Sequence, residues 1–246
     1  MSDEWYKIWF ESKWYRELYS HRTIDEAKTA IGLVHRHINL EQGAKVLDLC
    51  CGSGRHAAAL AEHGFSVTGI DNSAFLIAEA QKDYGHYDNL VFFRSDMRDC
   101  YPNAPFDAVV NFFTSFGYFD DHEENESVLS NIYLSLADKG YFLIDFFNAE
   151  YVRKHIVPLS RDVYDNTEII SKRRIENHQV IKDIQIHTDQ GENFSFYEKV
   201  HLYTKDELET MLINQNFLIE ACTGDYEGNT FSLESSPRCI MVCRKK

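Results

Sequence analysis

Positive charge is scarce in this 246-residue chain: 25 lysines and arginines stand against 39 aspartates and glutamates, a formal charge of −14. A surface of that sign repels phosphate backbones and anionic membranes, so polynucleotide substrates are disfavoured. The small basic runs Lys172-Arg173-Arg174 and Arg244-Lys245-Lys246 are read as solvated surface. No apolar stretch approaches the roughly 20 residues that cross a bilayer, and the opening MSDEWYKIWFESKWY lacks a secretory apolar region. There is no internal repeat and no low-complexity tract. The six cysteines show no C-x-x-C pair; Cys50 and Cys51 adjoin in a turn, Cys239 and Cys243 share an apolar strand, and all are expected to be buried free thiols of a reducing cytoplasm. A metal site is not indicated either. His35 and His37, two residues apart, cannot share a helix face.

What is present is organised around Lys45 to Asp71. The stretch reads as a strand (Lys45 to Leu49), a small-residue turn (Cys50 to Gly54), a helix (Arg55 to His63), a stop at Gly64 and a second strand (Phe65 to Ile70) ending in Asp71. Gly52 and Gly54 permit a sharp turn and close approach of a ligand. The helix presents unpaired N–H groups above that turn. Asp71 sits where a carboxylate accepts hydrogen bonds from ribose hydroxyls. An adenosine-containing cofactor is the expected occupant.

Two cofactor classes compete for it. Gly52 to Ala57 satisfies G-x-G-x-x-G/A with an acid 17 positions after Gly54, the pattern of a nicotinamide or flavin enzyme. Against this stands Asp48, inside a leading strand that a dehydrogenase would fill with apolar residues. A carboxylate there repels a pyrophosphate but suits a ligand carrying an ammonium and a sulfonium. Asp96, after the apolar run Leu90 to Phe93, can accept from an adenine amino group. Three carboxylates ending three successive strands favour a cationic adenosine cofactor.

At this point the chain resembles the class I S-adenosylmethionine-dependent methyltransferases. The resemblance rests on VLDLCCGSG, on GID ending at Asp71, on SDM at Asp96 and Met97, and on FDAVVNFFTSFGYF as the fourth strand and its continuation. It covers Lys45 to Asn148 closely and the flanks more loosely. It implies S-adenosyl-L-methionine as cofactor, held by Asp48, Cys50, Gly52, Gly54, Asp71, Asn72, Asp96, Met97 and Phe112. Cys50 replaces the family's usual first glycine, so this backbone must tolerate a Cβ and is not assumed to take a glycine-only conformation. The aromatic N-terminus would fold over the cofactor as a lid, with Tyr15, Tyr19 or Arg22 at the methionine carboxylate. From the residues alone, packing against the domain is the expected fate of most of its rings, and the lid is the sharper reading beside it.

The remaining chain supplies the architecture. Residues 14 to 22 read as a short helix or turn. Thr23 with Glu26 forms a capping box, and Ile24, Ala27, Ile31, Val34 and Ile38 make one helical apolar stripe. A helix from Asn72 or Ser73 to Lys82, a strand from Phe106 to Phe112, a helix from the stretch Asp120 to Glu126 through Ala137, and a strand from Tyr141 to Phe147 follow. Glu168 to Arg174, Gln179 to His187 and Asn193 to Tyr203 alternate with period two, giving three antiparallel strands. A helix capped by Thr204 and a hairpin of Phe217 to Ala221 with Arg238 to Cys243 close the chain. The expected fold is α/β, a doubly wound, seven-stranded, mostly parallel Rossmann-like sheet with an antiparallel β insertion. Its expected division is an N-terminal helical lid (1–40), a cofactor-binding core (41–155 with 204–246) and the inserted β subdomain (156–203).

Methyl transfer from a sulfonium requires positioning of the nucleophile and exclusion of water, with no metal. Asn111-Phe112-Phe113-Thr114 lacks the N/D-P-P-Y/F run of enzymes that methylate base or glutamine amino groups. A small-molecule acceptor with an N, O or C nucleophile is therefore expected, lined by Phe113, Tyr118 and Phe119. Tyr118, His122 and His201 are candidate bases should a proton have to leave. An NAD(P)-dependent oxidoreductase and a non-catalytic cofactor-binding protein of the same fold are the competing readings. The first lacks a recognisable hydride-transfer partner.

Overall fold

The computed structural model describes residues 4–246; the first three residues of the expected lid lie outside the described residues. Buried apolar runs form a central seven-stranded sheet of β1 (Lys45–Leu49), β2 (Ser66–Asp71), β3 (Leu90–Arg94), β4 (Phe106–Asn111), β5 (Leu136–Phe147), β10 (Phe217–Thr223) and β11 (Arg238–Lys245). Their spatial order is β10-β11-β5-β4-β1-β2-β3. β1 lies between β2 and β4, parallel to both, and β11 alone runs antiparallel to its neighbours β5 and β10. The order of strands reverses beside β1, and in open α/β sheets the crevice at such a point receives ligands.

Alternation along the strands divides the core into two faces. Val46, Ala108, Val110 and Leu143 pack with α3 (Ile24–His37) and α4 (Arg55–Glu62), and Ile77 and Ala80 of α5 (Ala74–Tyr84) join them. Leu47, Leu49, Val109, Phe142 and Ile144 pack on the other side with α6 (His122–Ser135) and α8 (Lys205–Asn214). Ala27, Ile31, Val34 and Ile38 are buried, as their spacing predicts. The Thr204 capping box at α8 is complete, whereas at α3 Thr23 Oγ1 accepts from the Glu26 N–H. His35 is exposed at the domain surface, stacked on Phe65.

A second, four-stranded antiparallel sheet follows β5: β6 (Leu159–Tyr164), β7 (Thr167–Glu176), β8 (Gln179–His187) and β9 (Asn193–His201). Period two reveals β7 to β9 but not β6. That edge strand buries no full face, and its Leu159 and Val163 are exposed. Helices α1 (Trp5–Trp9) and α7 (Ala149–His155) are also additions, each too short to show a periodic stripe. α2 (Lys13–Leu18) ends before Arg22, and Leu136 and Ala137 belong to β5 instead of α6. Cys51, Cys239 and Cys243 are buried as expected; Cys100 is exposed and Cys50 and Cys222 are half-buried, so burial of all six thiols is corrected. Among the described residues, no helix is long and apolar enough to cross a membrane.

Candidate active site

The turn after β1 takes left-handed backbone three times: φ is +61° at Cys50, +54° at Gly52 and +84° at Gly54. Packing explains Gly54, where a Cβ would come within 2.7 Å of Phe92. At Gly52 a Cβ would meet no protein atom within 4 Å, so the turn faces open space there. Cys50 takes left-handed backbone with its Cβ in place, so the turn tolerates a side chain there, at a cost on the order of 1 kcal/mol of local strain. Its sulfur lies 3.9 Å from Met97 Sδ.

Asp71 ties this turn to the next helix. Its Oδ2 accepts from the Gly52 N–H (2.9 Å) and its Oδ1 from the Ser73 N–H (2.9 Å). Burial pushes the Asp71 carboxyl up, and these two backbone donors pull against that rise. Asp96 is gripped by the fork of Arg98, Nε to Oδ1 at 2.9 Å and Nη2 to Oδ2 at 2.7 Å. Burial opposes the Asp96 charge, but the Arg98 bonds outweigh it and hold the carboxyl below its ordinary value. Asn72 Nδ2 reaches Asp96 Oδ2 at 3.5 Å.

Among the buried polar atoms without a protein partner, Asp48 Oδ2 and His56 Nε2 lie beside the turn. Burial pushes the Asp48 carboxyl up to about 8, so it holds a proton at neutral pH. Burial lowers His56 to about 3, so its ring, stacked on Phe112 at 4.6 Å, stays neutral. Both side chains border a cavity. A protonated carboxyl and an unsatisfied ring nitrogen beside open space are the marks of a site shaped for a polar ligand.

Three cavities meet here, and Tyr15 and Tyr118 border all of them. The first, about 570 Å³ of open space, is lined by Asp71, Asn72, Asp96 and Met97, with Leu49 and Phe119 as apolar walls. The second lies over Gly52 beside Asp48, His56, Phe112, Tyr19 and Arg22. The third, about 960 Å³, lies between the sheet edge and β7 to β9, with Phe113, Tyr118, Arg173 and Lys182 in its wall. Of the residues expected to hold a cofactor, only Gly54 borders none of the three; its place is in the packing under the turn.

The N-terminal segment forms one wall. Trp5, Trp9, Trp14 and Leu18 are buried, while Tyr15, Tyr19 and Arg22 face the cavities. Packing and covering are therefore divided between rings of one segment. Glu11 accepts from the N–H groups of Ala74 (2.7 Å) and Phe75 (3.0 Å), docking the segment on the start of α5. Glu198 on β9 accepts from Trp9 Nε1 (2.7 Å) and from the Tyr19 hydroxyl (2.7 Å) and pairs with Lys182 at 3.6 Å.

The fourth-strand end is held by a network that sequence reasoning missed. Phe113 and Thr114 both have left-handed backbone, φ +57° and +62°. Asp145, fully buried in β5, accepts from the Phe113 N–H at 2.8 Å, from Arg238 Nε at 2.7 Å and from the Tyr226 hydroxyl. Arg238 Nη2 also donates to Thr114 Oγ1 at 3.0 Å. The signal was available, since Asp145 interrupts an apolar strand as Asp48 does.

The candidate bases fare differently. Tyr118 is central, but burial drives its hydroxyl far above its ordinary value, so it remains a proton donor at neutral pH. His122 lies on α6 with Nδ1 3.1 Å from the Tyr203 hydroxyl, and His201 stacks on Tyr203 with its Nε2 3.2 Å from Gln179 Nε2. Neither histidine borders the three cavities, so the structure brings neither candidate to the site; both sit beside Tyr203 instead. Phe113 and Tyr118 reach the third cavity as expected, whereas Phe119 lines the first. Arg173 corrects the reading of its basic run as surface, because strand alternation turns it inward while Lys172 and Arg174 face solvent.

Comparisons with known proteins agree with this geometry. YqeM of Bacillus subtilis (strain 168), named as a methyltransferase with no stated acceptor, is 27% identical over 229 residues, covering 90% of each chain. The dTDP-3-amino-3,6-dideoxy-alpha-D-glucopyranose N,N-dimethyltransferase of Streptomyces fradiae is 25% identical over 82% of this chain and 80% of its own. The crystal structure of an S-adenosylmethionine-dependent methyltransferase from Clostridium acetobutylicum ATCC 824 shares the fold, with a TM-score of 0.79 at 16% identity over 94% of this chain and 95% of that one. Residues 46–140 match the family model described as a methyltransferase domain. β1, its glycine turn, Asp71 and the strand order all lie within or agree with that match, so residues 46–140 form a methyltransferase domain on a fold similar to that of S-adenosylmethionine-dependent methyltransferases.

Proposed function

We propose that the protein transfers a methyl group from S-adenosyl-L-methionine to a small molecule, in the cytoplasm. The observation that carries the cofactor assignment is the pairing of unsatisfied Asp48 Oδ2 with open space above Gly52, beside Asp71 and Asp96. The donor set fits the group. Asp71 retains lone pairs for ribose hydroxyls, and Asp96 Oδ2 would accept an amino group of the adenine ring in place of its long 3.5 Å contact with Asn72. Asp48 suits an ammonium, and Arg22 a carboxylate. When bound, the cofactor supplies a methyl group on a sulfonium; the acceptor's lone pair forms the new bond as the carbon–sulfur pair returns to sulfur.

The chain's own residues then orient and enclose. Tyr15 and Tyr118 stand at the junction of the three cavities, where a nucleophile and a methyl group would meet. The rings of the N-terminal segment exclude water from that junction. With Tyr118 held neutral and His122 and His201 elsewhere, none of the three candidate bases is placed there, which favours acceptors whose nucleophilic atom has a free lone pair without proton abstraction by the enzyme. We further propose the division into a lid over residues 1–40, a cofactor-binding core of 41–155 with 204–246, and an acceptor-covering β insertion of 156–203. The carbohydrate amine named for the S. fradiae relative is consistent with a small-molecule acceptor.

Calorimetric titration with S-adenosylmethionine, S-adenosylhomocysteine and NADH tests the reading. Both adenosyl ligands should bind and NADH should not, and Asp71→Ala should weaken them by roughly ten-fold or more, the worth of a charged hydrogen bond. Binding of NADH alone would reinstate the dinucleotide reading of Gly52 to Ala57.

A further inference from the structure

The third cavity has the wrong sign for the molecule around it. The chain carries a formal charge of −14, yet Arg22, Arg173, Lys182 and Arg238 line this cavity with Glu198 as the one carboxylate among its lining residues. Counting Asp145 beneath Arg238 as well, and leaving Arg22 to the cofactor's carboxylate, the wall keeps a surplus of one positive charge.

Several of these cations have donors to spare. The Arg22 guanidinium is stacked against the rings of Tyr19 (4.2 Å) and Phe113 (4.7 Å) and donates to no hydrogen-bond acceptor among the described residues. Arg173 spends only Nη1, on Ser160 Oγ at 3.1 Å and the Val157 carbonyl at 3.4 Å. Lys182, almost fully buried, donates to the Tyr19 hydroxyl at 2.9 Å and faces a Glu198 already shared with Trp9 and Tyr19. Cations that are sequestered yet incompletely paired are costly to maintain and mark a place for a negative ligand. Opposite them, Trp5, Phe10, Tyr118 and Val180 offer an apolar wall.

We propose that this cavity takes a methyl acceptor through an anionic group, a carboxylate or a phosphate, seated between Arg173 and Lys182, with the rest of the molecule against the aromatic wall and its nucleophile at Tyr118. The inference rests on the methyltransferase reading and names the substrate class of its site. The anchor orients the acceptor and raises its local concentration in a protein whose overall field repels anions, so selection happens inside the cavity.

The test uses the full chain saturated with S-adenosylhomocysteine. Trp5 borders the cavity, so intrinsic fluorescence reports titrations with benzoate, phenyl phosphate and the neutral isostere benzamide. At least one anion should bind about ten-fold or more tightly than benzamide, and which one separates a carboxylate site from a phosphate site. Arg173→Gln and Lys182→Met should each weaken the anion by at least about five-fold while S-adenosylhomocysteine binding stays unchanged; if Lys182→Met does not fold, Arg173→Gln decides. Equal binding of benzamide, no anion binding by protein that holds S-adenosylhomocysteine, or anion binding indifferent to the folded variants would overturn the proposal and leave the cofactor assignment standing. Failure of S-adenosylhomocysteine to bind would overturn both.

Discussion

Arg238 Nε donates to Asp145 Oδ1 at 2.7 Å, and the other oxygen of that carboxylate accepts the Phe113 N–H at 2.8 Å. One buried ion pair thus clamps two successive left-handed residues at the end of β4. Removing one partner strands the other charge inside the protein. Asp145→Ala is expected to lower unfolding free energy by roughly 3–5 kcal/mol in urea titration. Arg238→Met should cost less, because its loss leaves Asp145 with the Tyr226 and Phe113 donors.

Asp48 makes cofactor binding a proton event. Its carboxyl holds a proton below about pH 8, and an arriving ammonium favours the ionised form. Titrations at pH 7 in buffers of different ionisation enthalpy should reveal proton release, fading above pH 8, and affinity should rise with pH up to that point. Buffer-independent heats would show that Asp48 is not coupled to the ligand.

The same carboxyl sets a pH dependence of stability. Between its ordinary value of 3.8 and about 8, the folded state keeps a proton that the unfolded state gives up. Stability contributed here therefore falls as pH rises through that window and levels off above it. Asp48→Asn should raise the melting temperature at pH 8 more than at pH 5, while weakening S-adenosylmethionine binding. Equal shifts at both pH values would contradict the assignment.

Cys50 is a side chain on a glycine backbone. Cys50→Gly relieves the φ of +61° but loses the contact with Met97, so its stability should change by less than about 1 kcal/mol. Cys50→Val, with a branched Cβ in the same conformation, should cost about 1–3 kcal/mol by chemical denaturation and depress cofactor affinity.

Glu198 joins the N-terminal segment to the second sheet. Glu198→Ala breaks the bonds to Trp9 and Tyr19 and leaves Lys182 without its carboxylate. Limited proteolysis should then cleave before Arg22 several-fold faster than in the parent protein, with the central sheet unaffected.

Much of the fold is legible because its signals are local. The β1 to β2 unit announces itself through two buried apolar runs, a glycine turn and Asp71, and the period of α3 gives its face directly. β6 hides because an exposed edge strand needs no apolar alternation, and α7 because seven residues do not complete a stripe. The carboxylates around the first two cavities could be read since they end consecutive strands. The wall of the third cavity could not. Arg173, Lys182, Glu198 and Arg238 are scattered over β7, β8, β9 and β11; antiparallel pairing gathers the first three in the second sheet, and Arg238 meets them from β11 beside β5 in the central one. Asp145 was the exception, a buried strand carboxylate whose meaning lay in plain view.

Tyr15 and Tyr118 border at once the cavities proposed for the cofactor and the one proposed for the acceptor. The segment carrying Tyr15 is fastened at two ends, by Glu11 to α5 and by Trp9 and Tyr19 to Glu198, so neither room has a door of its own. Whatever lifts that segment opens both, and whatever settles it shuts both. On the proposed assignments, the spent cofactor and the methylated product would share one exit.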